Sequence, residues 1–124
     1  MTKLEKQDIE FVATLDYYWG KLRGKTVFIS GGTGFIGGFL IDVFRYRNAC
    51  FGDDIKVVAC SRRKSGTEGE VEYIAHDITL PLDSMYKADY IIHLASNTHP
   101  AQYGADPVGT ITANVFGTYH LLNF

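Results

Sequence analysis

A chain of 124 residues, 46% hydrophobic and 21% charged, is long enough for one domain with a buried core but short for a complete α/β enzyme. Its formal net charge of -2 gives no electrostatic reason to expect nucleic acid or an anionic membrane as partner. Cys50 and Cys60 have no second pair and no matching histidine spacing, so neither a disulfide framework nor a zinc site is indicated, and no metal is expected. The first ten residues are charged and lack the apolar core of a signal peptide, and no apolar run approaches membrane-spanning length. A cytoplasmic location is the resulting expectation.

Residues 2–19 place Leu4, Ile9, Val12, Leu15 and Trp19 at mostly helical intervals with charges between them, which predicts an amphipathic helix. Gly20 and Gly24 bracket its end, so residues 1–24 form an amino-terminal helical extension and residues 25–124 the domain proper. Tyr17 and Lys21 share a Tyr-x-x-x-Lys spacing, but they precede the first strand and are read as one helix face.

Residues 25–30 form the first strand, which turns through Gly31-Gly32-Thr33-Gly34-Phe35-Ile36-Gly37 into a helix over residues 35–47. A glycine turn brings backbone close to a diphosphate, and the helix behind it aims unpaired N–H groups and its positive dipole end at the charge. Gly32, Gly34 and Gly37 fit one register of the dinucleotide-binding fingerprint, and Gly31, Gly34 and Gly37 fit a three-spaced version; both bind the same group. Phe35, Ile36, Phe39, Leu40, Val43 and Phe44 are the expected core stripe of the helix, and residues 48–54 the return loop.

Residues 55–59 are an unbroken β-favouring run, as in a strand buried on both faces of a parallel sheet. The strand runs into Cys60-Ser61-Arg62-Arg63-Lys64, where an NAD-binding domain usually places an acid for the adenosine ribose, yet no carboxylate occurs before Glu68. Ser61 and Arg62, with Arg63, suit a 2'-phosphate through charge-assisted contacts, so NADP is favoured over NAD. Residues 65–70 read as a loop and residues 71–75 as the third strand. After it, Asp77 is placed either to bind an adenine amino group or to cap the turn toward Pro81, with Ile78 packing on the ring in the first case.

A short helix over residues 82–87 and a strand over residues 90–94 follow. Leu94, Ala95 and Ser96 at this strand's carboxyl end would let a cofactor lie close to the backbone, in the crevice where open α/β sheets bind ligands. Thr98 and His99 are minor candidates for acid/base work. Residues 101–107 read as loop and residues 110–124 as helix. The fold class is α/β, a Rossmann-like doubly wound parallel sheet that lacks its second half and has an amino-terminal helical extension.

Four stretches in this order, residues 30–37, His76-Asp77-Ile78, His93-Leu94-Ala95-Ser96 and Asn114-Val115-Phe116-Gly117-Thr118, resemble the extended short-chain dehydrogenase/reductase family, in its NAD-dependent epimerase/dehydratase branch acting on nucleotide sugars. The resemblance implies that Gly31, Gly34 and Gly37 bind pyrophosphate with turn amides from Phe35 and Ile36, and that Asp77 and Ile78 contact adenine. It implies that Ala95 and Ser96 lie beside the nicotinamide-side ribose and that Asn114 steadies the neighbouring strand. Ser61 departs from the acid usual in NAD users, and Ser96 from the usual alanine. The family's Ser or Thr, Tyr and Lys lie beyond this sequence, so none of its residues is assigned to catalysis. The resemblance implies a nucleotide-sugar substrate and a homo-oligomer for the full-length enzyme, with these residues expected to be inactive alone. An NADP-sensing module without catalysis, or an interaction domain with an empty glycine turn, remain the alternatives.

Overall fold

The computed structural model describes residues 1–83, 86–96 and 100–124. Helix α1 (Lys3–Ala13) and a single 3-10 turn (Trp19–Lys21) precede strand β1 (Thr26–Ser30). Then come α2 (Phe35–Phe51), β2 (Lys56–Ser61), β3 (Gly66–Glu68), β4 (Val71–Ala75), β5 (Tyr90–His93), α3 (Pro100–Ala105) and α4 (Pro107–Leu122). The five strands make one sheet in the order β3-β4-β2-β1-β5. Its β4-β2-β1-β5 part is parallel, and β3 alone is antiparallel, on the outer edge of β4.

Side chains alternate across a strand, so a sheet buried on both faces needs two cores. Val27, Ile29, Val57 and Ala59 point into the first, beneath Ile41 and Phe44 of α2. Phe28, Val58 and Cys60 point into the second, with Ile78 and Leu121 of α4. A third cluster packs Ile9 and Ala13 of α1 on Val43, on the outer side of α2. The outer face of α4 is uncovered: Val108, Ile111, Val115, Tyr119 and Leu122 are all more than half exposed.

Five expectations are corrected. The first helix stops at Ala13, because Thr14 turns its hydroxyl onto the carbonyls of Glu10 and Phe11 and so satisfies the end of the helix. Trp19 folds back, its indole N–H donating to the carbonyl of Leu15 at 2.9 Å. The expected return loop is helical as far as Phe51: Asn48 bonds both the N–H and the carbonyl of Ile55, at 2.7 and 2.8 Å, and the chain leaves α2 only at Gly52 in the left-handed region. Within residues 65–70 the edge of β4 captures three residues as β3. Within residues 101–107 a helix forms, with Pro100 as its first residue. Finally, the described residues among 82–87 are not helical, and residues 84 and 85 lie outside the described set.

The extension is held by a buried ion pair that periodicity did not reveal. Arg47 Nε donates to Asp53 Oδ2 at 2.6 Å and Arg47 Nη1 to the Ala13 carbonyl at 3.1 Å, with the guanidinium lying over the rings of Phe51 and Trp19. Asp53 is fully buried and also meets Arg23 at 3.2 Å. Removing one member of such a pair strands the other charge. Arg47→Ala is therefore expected to cost about 3–5 kcal/mol in urea unfolding. A loss below about 1 kcal/mol would mean that the pair contributes no more than an exposed one.

Candidate functional site

The parallel strands end together, and their carboxyl ends bring the β1–α2 turn beside residues 61–63, 77–78 and 94–96. The turn is shaped by its contacts. The N–H groups of Gly31 and Gly32 both donate to the Cys60 carbonyl at the end of β2, at 2.9 and 3.2 Å, and Gly34 N–H returns to the Gly31 carbonyl at 3.0 Å. Gly31 has a φ of +72°, and a Cβ there would stand 2.9 Å from the backbone of Leu94 and Ala95. At Gly32 a Cβ would meet that of Ala59 at 2.6 Å. At Gly37 it would strike the carbonyl of Gly31 and come within 2.9 Å of Gly32 Cα.

Gly34 is different. A Cβ there would touch only the Gly31 carbonyl oxygen, at 3.2 Å, and its other sides are open. Three glycines are thus required by the fold, whereas the open side of Gly34 faces solvent. The left-handed φ of Gly31 and the packing of Gly37 on it favour the three-spaced register, and Gly32 is fixed separately by β2.

Behind Gly34 the 17-residue helix α2 begins with no side-chain cap and no acid in its first turn. The N–H groups of Thr33, Phe35, Ile36 and Gly37 have no acceptor among the described residues. Four donors and a positive dipole end therefore converge on one exposed spot. Phe35 and Ile36, expected in the core stripe, are 94% and 60% exposed, because the residues of α2 that reach the sheet are Gly37, Ile41 and Phe44, at i, i+4 and i+7. The amides of Phe35 and Ile36 open the helix on the exposed side.

The neighbouring strand ends differ in what they leave available. Ser61 Oγ accepts the N–H of Lys64 at 3.2 Å, and Arg62 and Arg63 are exposed with no ion-pair partner among the described residues. Glu68, the first carboxylate after β2, is held 2.9 Å from Lys64 Nζ and 3.7 Å from Arg45, and Lys64 also lies over Tyr73. Asp77 caps its turn: one oxygen accepts the N–H and O–H of Thr79 at 2.9 and 2.7 Å. These bonds, aided by the charges of His76 and Arg62, hold its carboxyl below the usual range. Its other oxygen keeps accepting capacity.

Ile78 is buried in the second core, so its side chain is committed to packing and only its backbone remains to approach a ring. Leu94 and Ala95 are half-buried against the two cores, and Ser96 is exposed. Asn114 is exposed on α4, and its side chain makes no hydrogen bond to a strand among the described residues. Thr98 and His99 lie outside the described residues. Lys21 lies over the ring of Tyr18 and Tyr17 against that of Trp19, so that pair takes part in local packing. The thiol of Cys60 is pushed up to about 11, chiefly by burial and then by the charge of Asp77, and donates to the His76 carbonyl, which removes it as a nucleophile.

Reading the sequence alone missed Ser30, which is fully buried at the tip of β1. Its Oγ lies 3.0 and 3.1 Å from the N–H groups of Leu94 and Ala95 and 2.5 Å from His93 Nδ1. The polar residue ending an otherwise apolar strand was the available signal.

Gly37→Ala should destabilise the fold by about 1–3 kcal/mol through overpacking. Gly34→Ala should cost less than about 1 kcal/mol, and urea midpoints compare the two. Equal losses would contradict the open face assigned to Gly34.

The sequence matches the NAD dependent epimerase/dehydratase family over residues 27–124. UDP-glucuronic acid decarboxylase 2 of Arabidopsis thaliana is 32% identical over an alignment covering 94% of this chain, which spans 28% of that protein's length. Among solved structures, Pen from Bacillus thuringiensis superposes with a TM-score of 0.60 at 23% identity, over 82% of this chain and 34% of its own. A double mutant of DesIV, a dTDP-glucose 4,6-dehydratase from Streptomyces venezuelae solved with NAD and DAU bound, superposes with a TM-score of 0.58 at 22% identity, over 78% and 34%. At those identities the structures speak to the fold, while the sequence match covers most of the chain: the protein belongs to the NAD dependent epimerase/dehydratase family.

Proposed function

We propose that these 124 residues bind the dinucleotide of a nucleotide-sugar enzyme, with NADP preferred to NAD. The observation that carries this reading is the open side of Gly34 beside four backbone N–H groups without acceptors among the described residues. A diphosphate would complete those donors, and the amides of Thr33, Phe35, Ile36 and Gly37 would hold it. Ala95 and Ser96 leave room beside the strand end, and the free oxygen of Asp77 suits an amino group of the adenine.

The preference for NADP is supported by the charge balance after β2. Arg62 and Arg63 form no salt bridge among the described residues, Arg62 acting on Asp77 only through its charge, while Glu68 is engaged by Lys64 and Arg45. A 2'-phosphate brings the charge that such guanidinium groups pair with, whereas the carboxylate that usually accepts the ribose hydroxyls is absent from residues 61–63.

When bound, a dinucleotide would supply hydride-transfer chemistry through its nicotinamide. What this chain would contribute is the cradle: the amides of Thr33, Phe35, Ile36 and Gly37 would face the diphosphate and fix its place at the strand ends. The whole protein is proposed to act on a nucleotide sugar by transient oxidation, a reading supported by the decarboxylase relative and the dehydratase-like fold. The 124 residues are proposed to bind without turnover, with a cytoplasmic location. The uncovered apolar face of α4 supports a homo-oligomer for the whole protein.

Calorimetric titration of the chain with NADP and with NAD tests the reading. NADP should bind about tenfold or more tighter, and Arg62→Ala with Arg63→Ala should remove that difference. Gly34→Val should abolish heat with both while the fold persists. A folded chain giving no heat with either dinucleotide would sink the proposal, and equal losses for NAD and NADP in the arginine variant would remove the 2'-phosphate argument.

A further inference from the structure

We infer that His93, with its proton on Nε2, is a positioning residue for the dinucleotide crevice and acts through the hydroxyl of Ser30; this rests on the binding reading above.

The hydrogen bonds dictate the tautomer. A serine hydroxyl has one hydrogen and two lone pairs. Leu94 N–H and Ala95 N–H only donate, and both point at Ser30 Oγ, at 3.0 and 3.1 Å. With both lone pairs taken, the Ser30 hydrogen has one destination left, His93 Nδ1 at 2.5 Å, which must accept. The ring's hydrogen is then on Nε2, where the Ala113 carbonyl waits at 3.1 Å. Donors and acceptors match along the whole chain from α4 through His93 to Ser30 and the residues after β5.

A serine and a histidine this close resemble a nucleophile and its base. Ser30 is fully buried and its lone pairs are occupied, so the pair has no reacting face. Its effect is on position. Ser30 is followed by Gly31, whose missing Cβ would stand 2.9 Å from the carbonyl carbon of Leu94 and the nitrogen of Ala95. The hydroxyl draws those same two residues toward the turn, and Leu94 N–H is shared with the Ser30 carbonyl at 3.1 Å. The separation between the diphosphate turn and the segment 94–96 is therefore set at this hydroxyl.

The ring is itself fixed from the other side. A Cβ on Gly117 would stand 3.1 Å from His93 Nε2 and 3.2 Å from Cε1, so α4 presents a bare backbone where the imidazole rests. Gly117 is buried, and His93 is half-buried between the helix and β1. One imidazole thus ties α4 to the glycine turn without touching the place where the diphosphate would sit.

Two readouts test this on the 124-residue chain. Long-range proton–nitrogen NMR of the unmodified protein should show Nε2 protonated and Nδ1 bare. The opposite tautomer overturns the inference without any mutation. Asparagine sets a carbonyl near the place of Nδ1 and glutamine sets an N–H near that of Nε2, so His93→Asn keeps an acceptor for Ser30 and His93→Gln keeps only the bond to Ala113. In titrations with NADP, His93→Asn should bind within about threefold of the unmodified chain and His93→Gln about tenfold more weakly. Ser30→Ala should match His93→Gln, and the double variant Ser30→Ala, His93→Gln should be no weaker than Ser30→Ala alone. A merely structural role would lower the unfolding midpoints and leave the affinity of the folded variants unchanged, and that outcome overturns the inference. An unmodified chain that binds neither NADP nor NAD overturns the cofactor reading itself, whereas binding by the unmodified chain with equal binding by His93→Gln overturns the positioning role alone.

Discussion

Everything in this molecule depends on how closely the chain leaving β1 passes the backbone that follows β5. At Gly31 the chain turns with φ in the left-handed region, and there is no room for a methyl group between it and Leu94 or Ala95. Gly37, one turn into α2, rests on the carbonyl of that same Gly31. This double contact seats the start of α2 over the carboxyl ends of the strands, and the seating is why its unpaired amides meet at an exposed point and are not shielded by side chains. A bulkier residue at either place would lift the helix and disperse the donors.

The rest of the fold supports that seat from three directions. On one side α2 lies over the first core, and its far end is anchored by Arg47 and the buried Asp53, which also bind the end of α1. On the other, α4 covers the second core and reaches the tip of β1 through His93. At the outer edge β3 returns along β4, and the Lys64–Glu68 and Arg45–Glu68 pairs close that hairpin toward α2. Such exposed pairs are each worth little in stability. Their consequence is electrostatic, since Glu68, the next carboxylate in sequence after the Ser61-Arg62-Arg63 segment, is engaged by Lys64 and Arg45.

Family membership and site geometry bear on different questions. The match over residues 27–124 places the chain in the NAD dependent epimerase/dehydratase family. It does not separate the glycines of the turn, and the packing does: Gly31, Gly32 and Gly37 are fixed by close internal contacts, whereas Gly34 has an open side. Conversely, no local geometry at the turn identifies a sugar substrate. That part of the proposed function leans on relatives, of which the chain spans 28% in the decarboxylase and 34% in the dehydratase.

The sequence by itself determined the parallel strands and the first and last helices, because β-branched runs and helical spacing are local patterns that burial on both faces reinforces. It also determined the glycine turn, from glycine spacing between an apolar strand and a helix, while the close contacts of Gly31, Gly32 and Gly37 came only with the packing. The tertiary structure decided what local pattern cannot hold. Whether Phe35 and Ile36 are core or surface depends on which side of α2 meets the sheet, and whether Ile78 faces a ligand or α4 depends on where Gly117 comes to rest. The partners Arg47–Asp53, Asn48–Ile55 and Ser30–His93 are polar groups whose meaning is a distance, and distances between separate elements are set only when the chain has packed.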